Sequence, residues 1–298
     1  MKNILIIGCG LLGSSLLRSI KRKKIAKKIF IYEKSKKNIL KIKKLNLSGK
    51  IIKSLKEGVT NSDLIIFCTP MSEYKNIILK INKFVLPNSL ITDIGSSKIE
   101  SSKIIKKFLK KGISWIPSHP IAGSEVSGPE HGKSNMFVNR WCILIKEKNT
   151  NIKHLNTLNK FWKKNGSKTV VMTSEKHDKI FSMTSHLPHL VAYNLVKSAQ
   201  EFEKKQNYNL IKYSAGGLRD FSRIAASNEI MWRDIFFDNK NNITKAINLF
   251  IKNLNAFKKD INSKNNKSIL KKLVQTKKVR SKIIKLKQDI DKPDFGRN

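Results

Sequence analysis

Long apolar runs are missing from this chain. No stretch approaches the roughly eighteen consecutive apolar residues that a bilayer-spanning helix needs. The opening MKNILIIGCG is apolar, but it is short and runs into a glycine pattern rather than into the flanks of a signal peptide. A cytoplasmic protein with no membrane partner is the expectation. Cysteine is scarce: Cys9, Cys68 and Cys142 are widely spaced, odd in number, and each lies in or beside an apolar run. That argues against a disulfide framework and for reduced core residues. Internal repeats and low-complexity linkers are absent as well.

Acidic residues are few. The chain has 21 Asp and Glu against 61 Lys and Arg, a formal charge of +40. Such a charge is the footprint of a nucleic-acid binder. Here, however, Lys, Ile and Asn are enriched together along the whole chain. The lysines are not gathered in one tail or helix, and no regular aromatic interleaving accompanies them. The charge is read as biased composition, with weak attraction to polyanions and no specific nucleic-acid partner. Arginine is the rarer base. It stands only at positions 18, 22, 140, 219, 223, 233, 280 and 297, and three of these fall in or beside residues 214–232, SAGGLRDFSRIAASNEIMW. A chain that defaults to lysine and then concentrates arginine is using the planar fork that lysine lacks, and that fork suits a carboxylate or phosphate. This stretch is the expected holder of an acidic substrate.

A chain of 298 residues has room for two domains. Residues 3–7, NILII, read as a buried strand. Gly8, Gly10 and Gly13 follow in GxGxxG spacing, and an amphipathic run over 14–20 comes next. In that setting Gly8 permits a tight turn, Gly10 clears space for a pyrophosphate, and Gly13 lets the helix pack on the strand. The N–H groups of the helix start, at Leu11 and Leu12, then face the phosphates. A second strand over 29–32 ends at Glu33, where an acid accepts ribose hydroxyls and repels a 2′-phosphate, favouring NAD over NADP. Lys34, Lys36 and Lys37 beside it work against that preference.

The βα rhythm continues. Strands are expected at 63–68, ending in Thr69-Pro70, and at 90–94, ending in DIGSSK. A helix should begin near Ser72 as N-cap, with Ile77, Ile78, Ile81 and Phe84 inward. Another spans 101–111 and is stopped by Gly112. WCILI at 141–145 is a further strand. These features predict an α/β fold: a Rossmann-like, doubly wound, mostly parallel sheet over 1–150, followed by a mainly helical domain over 151–298. Thr69, Ser96, His119 and Ser124 fall at strand ends on the rim of the glycine loop, where such sheets bind ligands. One more strand is read at 169–172, and beyond Ser174 the chain reads helical, with DKPDFGRN frayed at the end. Ile243, Ile247, Phe250, Leu254, Phe257 and Ile261 form a narrow apolar seam, either a core helix or a subunit interface.

Two phrases hold histidines that suit chemistry: His119 in SHPIAG, and His186 and His189 in SHLPH. His131, His154 and His177 lack such settings and read as surface or packing residues. Pro188 lies between His186 and His189, and no glutamate occupies the HExxH position, so no metal is expected. A rim histidine is an acid–base group near working pH, or else a hydrogen-bonded structural residue.

Taken together, GCGLLGS, DIGSSK, HPIAGSE, SHLPH and GGLRDFSRIAAS…MWRDI occur in the order seen in the prephenate dehydrogenases, the TyrA-type enzymes of tyrosine biosynthesis. The resemblance runs from the first strand to about residue 235. It implies NAD-dependent oxidative decarboxylation of prephenate to 4-hydroxyphenylpyruvate, or of arogenate to tyrosine, in a homodimer joined through the helical half. By that resemblance His119 takes the proton of the substrate's ring hydroxyl, and Ser96 shares that hydroxyl and steadies the histidine. His189 and Trp232 border the substrate, Ser124 lines the pocket, and Arg223, expected buried, pairs with a carboxylate. Gly8, Gly10, Leu11, Leu12, Gly13, Glu33 and Thr69 make up the cofactor set. Two departures stand out: Glu33 where Asp is common, and Leu218 where Phe is common. Neither removes a reacting group. The competing readings are another two-domain hydroxyacid dehydrogenase, which would rely on a lysine in the helical half, and a basic nucleic-acid-binding protein.

Overall fold

NILII forms strand β1 (Asn3–Ile7), and its alternating side chains define the molecule's two apolar layers. The computed structural model describes residues 3–206 and 209–288; the DKPDFGRN terminus lies outside them. Ile4 and Ile6 enter one layer with Leu16, Leu17 and Ile20 of helix α1 (Leu11–Arg22). Leu5 and Ile7 enter the other. A strand covered on both faces must be apolar throughout, which is why the run lacks polar alternation.

The chain then alternates through β2 (Lys28–Tyr32), α2 (Lys36–Lys44), β3 (Lys50–Ile51), α3 (Leu55–Thr60), β4 (Leu64–Phe67), α4 (Tyr74–Ile81), β5 (Leu90–Asp93), α5 (Ile99–Phe108) and β6 (Ser114–Trp115). The strands form one six-stranded sheet in the order β3-β2-β1-β4-β5-β6. Every pairing in it is parallel. The order reverses between β1 and β4, so the carboxyl ends of these strands open the crevice in which a doubly wound sheet binds its ligand. Ser72 does not cap a helix. It lies in a short 3-10 turn (Met71–Glu73), and its N–H donates to Asp234 at 3.0 Å, so α4 starts at Tyr74. Helix α5 runs over 99–108, starting before the expected 101 and ending short of Gly112.

WCILI does not extend the parallel sheet. After β6 the chain leaves at Ile116-Pro117 and forms β7 (Ser118–Pro120). β8 (Trp141–Ile145) pairs antiparallel with β7 and parallel with β9 (Lys168–Met172). His119 therefore lies within a strand of a second, three-stranded sheet rather than after a strand end. Between β8 and β9, α6 (Ile152–Lys164) returns Leu155, Leu158, Phe161 and Trp162 to the first apolar layer.

From Ser174 onward the described residues are mainly helical, in line with the reading from sequence. α7 (Ser174–Phe181) begins at the Thr173 cap and passes through a π turn (Ser182–His186) into α8 (Leu187–Gln206). Pro188 comes just after the π turn within one continuous helical run, so its missing N–H falls where the ladder has already shifted from its α pattern. α9 (Gly216–Ala225), α10 (Glu229–Asp238), α11 (Lys240–Asn262) and α12 (Asn266–Lys285) follow. Trp232 and Ile235 of α10 join the second apolar layer, binding the helical half to the sheet. On α11 the seam is buried at Ile243 but open at Phe250, Leu254 and Ile261. No helix among the described residues is long and apolar enough to cross a membrane.

Candidate active site

The glycine turn is built as its spacing implies. Gly8 has φ +90°, and a side chain there would meet the Cys68 carbonyl at 2.8 Å and Thr69 Cγ2 at 2.9 Å. A Cβ on Gly13 would lie 2.2 Å from the Gly8 carbonyl oxygen, while nothing stands within 4 Å of one on Gly10. The open side of Gly10 is the space a pyrophosphate needs. α1 starts at Leu11 with no side chain capping it, leaving the N–H groups of Leu11, Leu12 and Gly13 for an anion. The buried Thr69 Oγ1 beside the turn has no hydrogen-bond partner among the described residues. Glu33 Oε2 accepts the Cys9 N–H at 2.7 Å and Oε1 accepts the Ser35 N–H at 2.8 Å. The carboxylate is thus fixed at the edge of the turn with lone pairs left for ribose hydroxyls. These residues fit a dinucleotide.

Beside this crevice stands a buried ionic cluster. Lys98 is fully buried; its Nζ donates to Asp93 Oδ2 at 2.7 Å and to the Ser118 carbonyl at 2.9 Å. Asp93 also accepts the Tyr74 hydroxyl at 2.9 Å and the N–H groups of Gly95 and Ser118 at 3.0 and 3.1 Å. A buried ion pair needs this degree of satisfaction to be tolerated. Burial, then the Asp93 charge, pushes the Tyr74 hydroxyl well above its ordinary range. The cluster pins Ser118, and with it the next residue, His119.

His119 is buried, and its Nδ1 lies 2.8 Å from His177 Nε2. His177 Nδ1 in turn lies 2.7 Å from Asp178 Oδ1. Asp178 accepts the N–H groups of Lys98 and Ile99, each at 2.9 Å, at the start of α5. Burial, and then the neighbouring His177, Lys98 and His186, hold His119 well below the ordinary histidine pKa. At neutral pH its ring is therefore a base, not a cation. His177 is also held well down, chiefly by burial. Of its two readings from sequence, surface or packing, burial rules out the first. A His-Asp pair opening the helical half was its one sequence signal.

Ser96 is half-buried on the β5–α5 loop. Among the described residues its side chain makes no hydrogen bond to His119, whose ring is steadied by His177 instead. His189 donates Nδ1–H to the Ser185 carbonyl at 2.9 Å, leaving Nε2 as an acceptor, and stacks on Trp232 with ring centroids 3.8 Å apart. Trp232 is buried, and its Nε1–H has no partner among the described residues. His186, pushed down to about 4 mainly by burial, faces the same indole edge-on at 6.2 Å.

The three clustered arginines divide. Arg233 is bound to Asp234 at 2.7 and 3.1 Å, a structural pair. Arg219 is exposed. Arg223, in the last turn of α9, is not buried as expected: its side chain is 50% exposed and lies 3.9 Å from Glu125. Its one ion-pair contact is long, and the fork stands open to solvent. Ser124, next to Glu125, is exposed on the β7–β8 loop that brings the two halves together here.

A Rossmann-like crevice with an uncapped phosphate-binding helix, flanked by a neutral buried histidine and an open arginine fork, defines a nucleotide-dependent dehydrogenase for an acidic substrate. Comparison with known proteins narrows the class. The profile of the prephenate dehydrogenase nucleotide-binding domain matches residues 16–171, and that of the prephenate dehydrogenase dimerization domain matches residues 173–275. The chain is 31% identical to a cyclohexadienyl dehydrogenase of Zymomonas mobilis over 97% of its own length and 98% of the relative's. It is 30% identical to a prephenate dehydrogenase of Lactococcus lactis, covering 94% of this chain and 77% of that one. The crystal structure of Aquifex aeolicus prephenate dehydrogenase with hydroxyphenyl propionate and NAD+ superposes with a TM-score of 0.88 at 33% identity, covering 95% of this chain and 98% of that one. The chain belongs to the prephenate dehydrogenase family.

Proposed function

We propose that the protein catalyses the NAD-dependent oxidative decarboxylation of prephenate to 4-hydroxyphenylpyruvate, in tyrosine biosynthesis, as a homodimer. The observation that carries this reading is His119: a buried histidine held neutral at working pH, beside a crevice suited to a dinucleotide. Gly8, Gly10, Gly13, Leu11, Leu12, Thr69 and Glu33 hold the cofactor. Bound NAD+ supplies the hydride acceptor. His119 takes the proton of the ring hydroxyl as hydride leaves the carbon that bears it, and loss of carbon dioxide then makes the ring aromatic. Ser96 shares the hydroxyl. Arg223 meets a substrate carboxylate with its solvent-open fork, so charge and orientation come from one side chain. Trp232 and His189 form a stacked wall, and Ser124 lines the entrance. The open seam of α11 supplies the dimer contact, which fits a dimerization-domain match that spans it. The test offers the purified protein NAD or NADP with prephenate and, separately, with arogenate, and follows reduced nicotinamide. Saturable turnover of prephenate with NAD is expected; no turnover of either substrate with either nucleotide sinks the proposal.

A further inference from the structure

His119 has two ring nitrogens, and a base must keep the right one bare. The hydrogen bonds behind it decide which. Asp178 accepts a main-chain N–H on each carboxylate oxygen, from Lys98 on Oδ1 and from Ile99 on Oδ2. Burial raises the Asp178 carboxyl above its usual range, but these two donors, at the positive end of α5, and the Lys98 charge oppose that shift and favour the carboxylate anion, which can only accept. The proton in the 2.7 Å contact between Asp178 Oδ1 and His177 Nδ1 therefore belongs to the imidazole. Burial keeps His177 neutral, so its Nε2 carries a lone pair. Across the 2.8 Å contact with His119 Nδ1, that lone pair accepts a hydrogen bond. His119 must then hold its proton on Nδ1, leaving Nε2 bare.

We propose that His177 and Asp178 are positioning residues that fix the Nδ1–H tautomer of His119, so that Nε2 is the nitrogen offered to the substrate hydroxyl. This deepens the proposed function and rests on His119 acting as its base. The arrangement also spans the two halves of the molecule. His119 lies in β7, while His177 and Asp178 lie in α7 and are held by the N–H groups of α5. The Asp178 carbonyl is in turn bound by Asn239 at 2.8 Å. The base is thus set for proton abstraction only when the helical half is seated against the sheet. When the hydroxyl proton arrives on Nε2, His119 becomes an imidazolium whose Nδ1–H keeps its bond to His177. The proton goes no further, and the fixed carboxylate stabilises the new charge through the intervening ring. The other groups facing His119 are Phe181, at 4.9 Å between ring centroids, Lys98, bound to Asp93, and His186.

The test is long-range 1H–15N spectroscopy of histidine-labelled full-length protein, with kinetics of the same samples. Wild-type His119 is expected as the Nδ1–H tautomer; finding Nε2–H overturns the proposal whatever the variants do. His177→Phe removes the acceptor but keeps an aromatic ring against Phe181. It should mix the His119 tautomers and lower kcat about 10- to 100-fold per folded molecule, with KM near wild type. His177→Gln offers a carbonyl acceptor and should restore the tautomer and most of kcat. A His177→Phe protein with wild-type kcat, or one that loses kcat while His119 keeps its tautomer, contradicts the proposal. If His177→Phe does not fold, the wild-type spectrum and His177→Gln decide it. The spectrum needs no substrate, so a failure of prephenate turnover with the Nδ1–H tautomer in place would sink the functional reading, while an Nε2–H tautomer in a protein that turns over prephenate would sink this one alone.

Discussion

Replacing Arg223 with lysine separates binding from folding. The side chain is 50% exposed and its contact with Glu125 is long, at 3.9 Å. Ion pairs of that exposure contribute about 0–1 kcal/mol to stability, and lysine keeps the charge, so the melting temperature should not move measurably. Binding is different. The guanidinium presents two parallel donors to a carboxylate and the ammonium presents a point charge. Losing one charge-assisted hydrogen bond costs about 1.5–3 kcal/mol. At about 1.4 kcal/mol per factor of ten, KM for prephenate should rise roughly 10- to 150-fold. The change in kcat should be much smaller, because the reacting carbon and His119 are untouched. The assay is initial-rate formation of reduced nicotinamide over a prephenate titration at saturating NAD, with thermal unfolding alongside. A wild-type KM refutes the carboxylate assignment. A wild-type KM with a large drop in melting temperature would make Arg223 a structural residue.

Three further outcomes are expected. His119→Asn should lower kcat by about 10²–10⁴ with KM little changed, as for a group that acts on the proton in the transition state; in the wild-type enzyme the acid limb of kcat/KM should lie below the ordinary histidine value, because burial holds this ring down. Lys98→Met leaves Asp93 charged and unpaired in the interior and should reduce unfolding free energy by about 3–5 kcal/mol in urea titrations, since both members of the pair are fully buried. Asp238, raised from 3.8 to about 6 chiefly by burial, binds its proton more tightly folded than unfolded, so stability falls as pH rises through that window. Asp238→Asn should therefore melt higher than wild type at pH 8 and converge with it near pH 4, and a difference that grows toward acid would contradict that sign.

Much of the nucleotide half was legible because local chemistry dictates it. NILII lies between its neighbours and Gly8 with no polar break, and β1 has the expected bounds. Gly8 and Gly13 stand where an added Cβ would meet neighbouring backbone at 2.8 and 2.2 Å, whereas nothing lies within 4 Å of one at Gly10. WCILI was legible as a strand but not as a member of a second sheet, because an apolar run does not say which strand it pairs with. Likewise Ser72 looked like a cap until its N–H found Asp234, 162 positions away. The polar heart of the site was the least legible. His177 reaches His119 across 58 residues, and Lys98 reaches Asp93 inside a loop that reads as ordinary DIGSSK. The first contact is made by the packing of the two halves, and the second by the folding of one loop back on itself; neither leaves a periodic pattern in the sequence. The scarcity of arginine picked out the stretch and the family resemblance picked Arg223 within it, and neither signal carries information on burial. Its exposure follows from its place on α9, of which no residue is buried.

The account stands most directly on the stoichiometry of a single reaction. Purified protein, NAD and prephenate labelled with carbon-13 in the ring carboxylate should yield reduced nicotinamide, labelled carbon dioxide and 4-hydroxyphenylpyruvate in equal amounts. The yield should depend on the side chain of His119. Reduced nicotinamide formed without release of the label, or equal rates from wild type and His119→Asn, would contradict it.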